Sequence, residues 1–219
     1  MKRLSLILII LFSAFHANAQ WAPKVYAGAK AFYDKGFEGN TFGGFEAGAE
    51  LLRFKFLAPE IGISYFSGQP NIREFPDLGS LPPEGRAKFD GRFNSFNFSL
   101  GPKFIFGNQE AALVFLPEFN LGRMKVSERY FLRDNTRYEL REEAGTSDNI
   151  SFWNFSAGVE GDFFGLDRIK FSLLLTYTTL DSKKAFEDLQ FPDSSEKYAG
   201  GSEGGLGINF RAYFDIFKN

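Results

Sequence analysis

The chain has 219 residues, no cysteine, one histidine and a formal net charge of -2. That length accommodates one sizeable domain, and 25 basic residues against 27 acidic ones exclude a nucleic-acid partner recruited by charge. Twenty-nine Phe, 18% aromatics and 23 Gly favour strands and tight turns, so the expectation is an all-β chain.

Residues 1–20 read MKRLSLILIILFSAFHANAQ. A basic start at Lys2 and Arg3 precedes an apolar run from Leu4 to Phe15, and Ala17-Asn18-Ala19 is a small-x-small cleavage site. The apolar run is well short of the roughly 20 residues a membrane-spanning helix needs. The expectation is a cleaved signal peptide over 1–19 and a single domain over 20–219. Removing the leader removes His16, the one histidine, so the mature chain carries neither His nor Cys.

Eight segments then alternate apolar and polar residues. The first sets Val25, Ala27, Ala29 and Ala31 against Tyr26, Gly28, Lys30 and Phe32; the second sets Phe45, Ala47, Ala49 and Leu51 against Glu46, Gly48 and Glu50. The third runs from Leu57 to Tyr65 and carries Glu60 and Gly62 on its polar side. The fourth runs from Phe96 to Phe106 with Lys103 and Gly101 on that side, and the fifth from Leu113 to Gly122 with Glu118. The sixth spans Asn154 to Phe163 with Glu160 and Asp162, the seventh Ile169 to Thr178 with Lys170, and the eighth Leu206 to Ile216 with Arg211 and Asp215. Each approximates the 9 to 11 residues of a tilted membrane strand, and the number is even.

The connections alternate too. Strands 2–3, 4–5 and 6–7 are joined by a few residues, whereas Ser67–Arg92, Arg123–Asn149 and Leu180–Glu203 are long and polar. Short periplasmic turns opposite long external loops are the outer-membrane pattern.

Volume settles which face is outside. An eight-stranded barrel has an interior just wide enough for its own side chains, and the Phe, Leu and Ile of the apolar series are too bulky for it. The glycines of the polar series suit a narrow lumen. The lumen therefore receives Lys30, Glu46, Glu50, Glu60, Lys103, Glu118, Glu160, Asp162, Lys170, Arg211 and Asp215, with both signs present for pairing. Pro59, Pro102 and Pro117 lie inside strands and share one level near the periplasmic rim, where local bulges are expected to accommodate them.

On the leader, the eight alternating strands, the loop asymmetry and the aromatic last strand, the chain resembles small eight-stranded outer-membrane barrels of the OmpA, OmpX and PorT-like kind. The resemblance covers nearly all of the mature chain and is architectural, without a specific motif. It implies residence in the bacterial outer membrane, contact with outer-membrane lipid and lipopolysaccharide, and assembly by the barrel-insertion machinery, for which Phe210, Phe214 and Phe217 are candidate recognition residues. The usual terminal Phe of such barrels is here followed by Lys218 and Asn219.

Barrel enzymes of this size resemble one another in relying on a histidine as base or partner of the nucleophile, which the mature chain lacks. Glu160 with Asp162, or Glu46 with Glu50, place two acids on one lumen face, but the expected role is structural ion pairing. No cofactor is expected, and no loop has the acidic spacing of a calcium site. The glycine-rich GGSEGGLG of Gly200–Gly207 lacks the lysine of a phosphate loop and leads into strand 8.

In the loop RMKVSERYFLRDNTRYELREEAG, the turn residues Asp134-Asn135 are flanked by apolar residues among dense charge, so a hairpin could extend strands 5 and 6 beyond the membrane. Arg129, Tyr130, Arg133, Arg137, Tyr138 and Arg141 are its candidates for contact with protein partners or lipopolysaccharide. The expected function is non-enzymatic: a structural or surface-interaction role carried by the loops. The alternatives are a narrow channel or carrier for small or amphipathic solutes, and an accessory barrel of a secretion machine, as the PorT-like resemblance implies.

Overall fold

The computed structural model describes residues 23–77, 84–108, 110–134, 137–166, 168–187, 189 and 203–216. The leader, Pro82, Pro83, Phe217 and most of the Leu180–Glu203 loop lie outside the described residues. The strands are β1 (Lys24–Tyr33), β2 (Thr41–Glu50), β3 (Leu57–Gly68), β4 (Arg73–Asp77), β5 (Glu84–Gly107), β6 (Ala111–Asp134), β7 (Arg137–Gly161), β8 (Ile169–Asp181) and β9 (Glu203–Asp215), with a short helix α1 (Lys183–Glu187) before the last. All pairings are antiparallel. β3 pairs with β5 and β1 with β9, so eight strands close into a barrel, and β4 lies outside the ring on the upper part of β5.

The outward face carries Phe45, Ile61, Ile63, Phe98, Leu100, Leu113, Leu121, Leu173, Leu175 and Ile208, all exposed, and the inward face buries the polar series. On β6 the apolar outward run covers residues 113 to 121. Nine residues at about 3.4 Å each, tilted about 40°, span about 23 Å along the membrane normal, close to the lipid-facing band of such barrels. Tyr33, Tyr65, Phe96, Trp153 and Tyr177 ring its extracellular side, the position of an aromatic girdle. This is an eight-stranded antiparallel transmembrane β-barrel.

β5, β6 and β7 run 24, 24 and 25 residues, far beyond that band. The expected hairpin between residues 123 and 149 is thus a direct continuation of β6 and β7, and part of the expected 67–92 loop is the upper half of β5 with β4 beside it. Along this extension the alternation inverts. On β5 the outward residues change from Phe98 and Phe96 to Asn94 and Arg92, while the inward ones change from Asn97 and Ser95 to Phe93 and Phe89. On β6, Leu121 gives way outside to Arg123 and Lys125, and Asn120 gives way inside to Met124 and Val126. Outside, lipid has been replaced by water, so the apolar side chains move inward.

The expected bulges at the prolines are absent. Pro59 pairs with Pro102 and Pro117 with Phe155 in unshifted register. The Pro59 carbonyl accepts from the Leu51 amide at 3.0 Å, so its backbone faces β2 and β5 loses nothing. Between β5 and β6 the ladder stops after Leu100–Phe119 and resumes at Phe104–Phe115 with the same offset, which places Pro102 opposite Pro117. The two missing donors fall on one rung, and no extra residue is needed. The register shifts among the described residues lie in the extracellular part, at Phe75/Pro76, Tyr130/Phe131 and Thr178/Asp181.

Glycines make room for side chains crossing the lumen. A Cβ on Gly48 would lie 2.6 Å from the ring and hydroxyl of Tyr26, and one on Gly62 would also press on that hydroxyl. Gly48→Val is expected to lower barrel stability by about 1–3 kcal/mol or to prevent folding. The heat-dependent gel mobility of the refolded protein checks this, and an unchanged unfolding temperature would contradict it.

Candidate functional site

Within the membrane band one connected network of ion pairs fills the lumen. Arg211 of β9 is fully buried and holds Glu46 of β2 through both Nε and Nη2, Glu60 of β3 through Nη1 at 2.8 Å, and Glu118 of β6 through Nη2 at 2.7 Å. Lys30 of β1 reaches Glu46 at 2.7 Å and Glu118 at 3.1 Å, closing a ring of two cations and two carboxylates. One layer nearer the short turns, Lys103 of β5 meets Glu160 of β7 at 2.6 Å, Glu50 at 2.8 Å and Glu60 at 3.1 Å, and Lys24 approaches Glu50 at 3.7 Å. Glu60 joins the layers, its second oxygen accepting from the Tyr213 hydroxyl at 2.9 Å. The aromatic rings complete the cage: the Lys103 ammonium lies 3.7 Å from the Tyr213 centroid and the Arg211 guanidinium 4.6 Å from that of Tyr26.

The network gathers eight of the residues expected in the lumen: Lys30, Glu46, Glu50, Glu60, Lys103, Glu118, Glu160 and Arg211. Three others lie elsewhere. Asp162 is exposed in the β7–β8 turn, where it accepts from the Leu166 amide at 2.9 Å, because β7 ends at Gly161 and the alternation lapses with it. Lys170 and Asp215 sit half-buried at the periplasmic ends of β8 and β9. The Glu160–Asp162 pair is therefore not assembled, and Glu46 and Glu50 are each engaged by cations. Lys24 was absent from the expected set and follows from extending the inward phase of β1 by one step; Tyr213 stands between Arg211 and Asp215 in the inward phase of β9 but was left out of a set limited to charged residues.

Above the charges a layer of buried amides and hydroxyls, including Asn97, Asn120, Asn154 and Asn209, gives way to an apolar end. On the extracellular side Phe32, Phe37, Phe42, Phe66, Phe93 and Phe152 pack with Met124, Val126 and Leu180 under α1, whose Phe186 is fully buried. Neighbouring rings lie 4.9 to 5.6 Å apart in Phe37–Phe42, Phe37–Phe93 and Phe42–Phe93. Val114, Leu116 and Leu174 form a smaller cluster on the barrel wall level with the charges, and Ala58, Ile105 and Ala112 another toward the short turns. The polar lumen expected from the sequence is thus a charged middle with amides and hydroxyls above it, closed by apolar side chains at both ends.

The residues of the contact loop divide. Tyr130, expected outside, is buried in the upper cluster and stacks on Phe89 at 4.8 Å, because the inverted alternation turns its position inward. Arg129 pairs with Asp90 at 2.5 Å and Arg141 with Glu139 at 3.5 Å. Arg137, Tyr138 and Arg141 are exposed near the tip.

The fold and the filled lumen define a membrane protein that crosses the bilayer with strands, a small barrel of the outer-membrane type. No family model and no curated protein matches the chain. Among solved structures it is similar to the attachment invasion locus protein Ail of Yersinia pestis, with 14% identity, a TM-score of 0.42, and coverage of 89% of this chain and 99% of that one. It is also similar to the N-terminal β-barrel domain of Pseudomonas aeruginosa OprF, with 12% identity, a TM-score of 0.36, and coverage of 91% and 100%. Neisserial surface protein A follows at 9% identity, a TM-score of 0.39, and coverage of 91% and 99%.

Removing Arg211 leaves three buried glutamates short of their shared cation. Arg211→Met is expected to cost about 3–5 kcal/mol, read as a loss of heat-resistant folded protein, whereas a neutral effect would show that water replaces the guanidinium.

Glu128 is a second buried charge position, above the lipid band in the apolar cluster, with no hydrogen bond to its carboxylate among the described residues. Burial pushes its pKa up from 4.5 to about 8, against the opposing charge of Arg73. A raised carboxylate pKa means the folded state binds the extra proton, so stability falls as pH rises from 4.5 through about 8. Glu128→Gln is expected to raise the unfolding temperature at pH 9 and leave it unchanged at pH 4. A difference that does not depend on pH would contradict this origin.

Proposed function

We propose that the protein is a closed, non-enzymatic barrel that holds a rigid β-sheet above the outer-membrane surface for contact with other proteins. The observation that carries this reading is the asymmetry of the sheet's two edges. On one side β4 covers β5 from Glu84 to Phe89. On the other, β7 pairs with β8 only from Asn154 to Gly161 and the Trp153 amide donates to Thr179 Oγ1 of β8 at 2.9 Å, so among the described residues no strand pairs with the outer edge of residues 137–152. An open edge of that length offers backbone donors and acceptors to an added strand. Over residues 137–149 it carries Arg137 and Arg141 against Glu139, Glu142, Glu143 and Asp148, which favours an extended segment rich in Lys or Arg and disfavours pairing with a second copy of itself.

A closed lumen supports the interaction role over a channel or carrier: the cage occupies the middle and apolar side chains both ends. The mature domain of 20–219, cleavage after Ala19 and assembly through the insertion machinery belong to the same proposal, as does the absence of catalysis, since the acids that could have served as a catalytic pair are either separated or engaged by cations. Residence in the bacterial outer membrane accords with the barrel and its lipid-facing belt.

Val126 stands directly opposite Thr146, so an Asn-Gly turn joining them removes the upper parts of β6 and β7 while leaving the membrane-spanning strands and the ion cage in place. The shortened protein is expected to insert and resist heat like the full one, yet no longer to bind a basic, alternating β-strand peptide that the full barrel cross-links through a photoreactive residue at position 149. Equal cross-linking by both proteins would remove the sheet from the function.

A further inference from the structure

We propose that the depression between α1 and the foot of the open β7 edge is a side-chain pocket, and that it takes one arginine of the strand added along that edge. The inference deepens the strand-addition reading and rests on it. β8 stays beside β7 as far as Thr179, whose Oγ1 accepts from the Trp153 amide at 2.9 Å. The register of β8 against β9 then shifts between Thr178 and Asp181, and the chain turns into α1. α1 is held by Phe186, buried in the phenylalanine core, and by Lys183, which pairs with Glu203 of β9 at 3.0 Å. Among the described residues nothing continues the path of β8 along β7, and a depression of about 290 Å³ lies there.

The walls of the depression differ in chemistry. Met124, Ile150 and Ala185 supply apolar surface, while Asp148 of β7 and Asp181 at the end of β8 bring a carboxylate from each side of the gap. Both aspartates are exposed. Asp148 makes no ion pair among the described residues, and Asp181 accepts from the Lys184 amide at 3.2 Å. Two carboxylates face one lining cation, Lys184, so the depression carries a negative surplus. A long basic side chain suits both kinds of wall, because its methylenes lie on apolar surface while its head stays with the carboxylates. Arginine suits them better than lysine, since its planar fork can donate to two carboxylates at once.

The pocket also lies in the right phase of the sheet. Asp148 faces Met124 across the β6–β7 ladder and Ile150 faces Gly122, which puts both on the inner side. A strand added to β7 sends every second side chain inward, and the one opposite Asp148 or Ile150 is directed into the gap before α1. The next inward positions toward the tip, Thr146 and Ala144, are uncharged. Charge recognition on this face is therefore concentrated at the foot of the edge, where it fixes the register of the incoming strand.

Two fluorescent peptides, bound to the refolded protein in phosphatidylcholine nanodiscs, test the assignment. One is an alternating Thr-Val strand with a central Arg; the other carries citrulline in its place, which keeps the shape and removes the charge. Wild type is expected to bind the Arg peptide about tenfold more tightly than the citrulline peptide. The variant Asp148→Asn, Asp181→Asn is expected to bind the two equally, and its side-chain oxygen at position 181 can still accept from the Lys184 amide, so α1 keeps its start. The variant Glu139→Gln, Glu143→Gln removes the same charge elsewhere on the edge and is expected to leave the preference intact. Equal binding of both peptides by wild type, a preference that survives the aspartate substitutions, or one lost as fully with the glutamate substitutions overturns the proposal. Binding of neither peptide removes the strand-addition reading and the pocket with it, whereas binding of both without preference removes the pocket alone.

Discussion

One guanidinium organises the barrel. Arg211 sits at the centre of the lumen with no exposed surface and is held by glutamates from three different strands. Inside a membrane there is no water to replace it: an uncompensated carboxylate in such a place costs several kcal/mol, so each charge there is tolerable only because the others are present. The surrounding glycines follow from this. A Cβ on Gly28 would come within 2.9 Å of the Arg211 side chain and 3.2 Å of Glu46, so a small residue opposite the arginine is the condition for the bidentate contact. Ion pairing and strand register are therefore one constraint, since slipping any strand by a single residue would turn its glutamate toward lipid.

The rest of the barrel is arranged by what surrounds it. Where lipid lies outside, each strand sends its bulk outward and its charges inward. Where water lies outside, β5 and β6 exchange the two faces within one pair of residues, at Phe96–Asn94 and at Leu121–Arg123. The upper part of the barrel is consequently packed like a soluble sheet, with a phenylalanine core capped by α1.

Much of this was legible from residue alternation alone. The eight strands, their outward apolar series, the two lengths of connection and eight residues of the charge network all follow from period-two patterning together with the volume limit of an eight-stranded lumen. The phenylalanine core was not recognised, although its members sit in the inward phase: Phe32 follows Lys30 by two residues and Phe42 precedes Glu46 by four. Assuming one polarity for the entire lumen hid them, as it hid the inward turn of Tyr130. The prolines misled in a different way. Their pairing across β5 and β6 is a property of three-dimensional register, and a missing donor opposite another missing donor leaves no sign in either strand taken singly. Asp162 failed because the alternating pattern continued past the end of β7 into a turn.

The central claim is that the lumen is closed by its own side chains, with the ion cage in the middle and apolar residues at both ends. Single-channel recording of the refolded protein in planar bilayers tests it most directly. The account predicts a flat baseline at every voltage the bilayer withstands, and reproducible unitary conductance steps from the wild-type protein would contradict it.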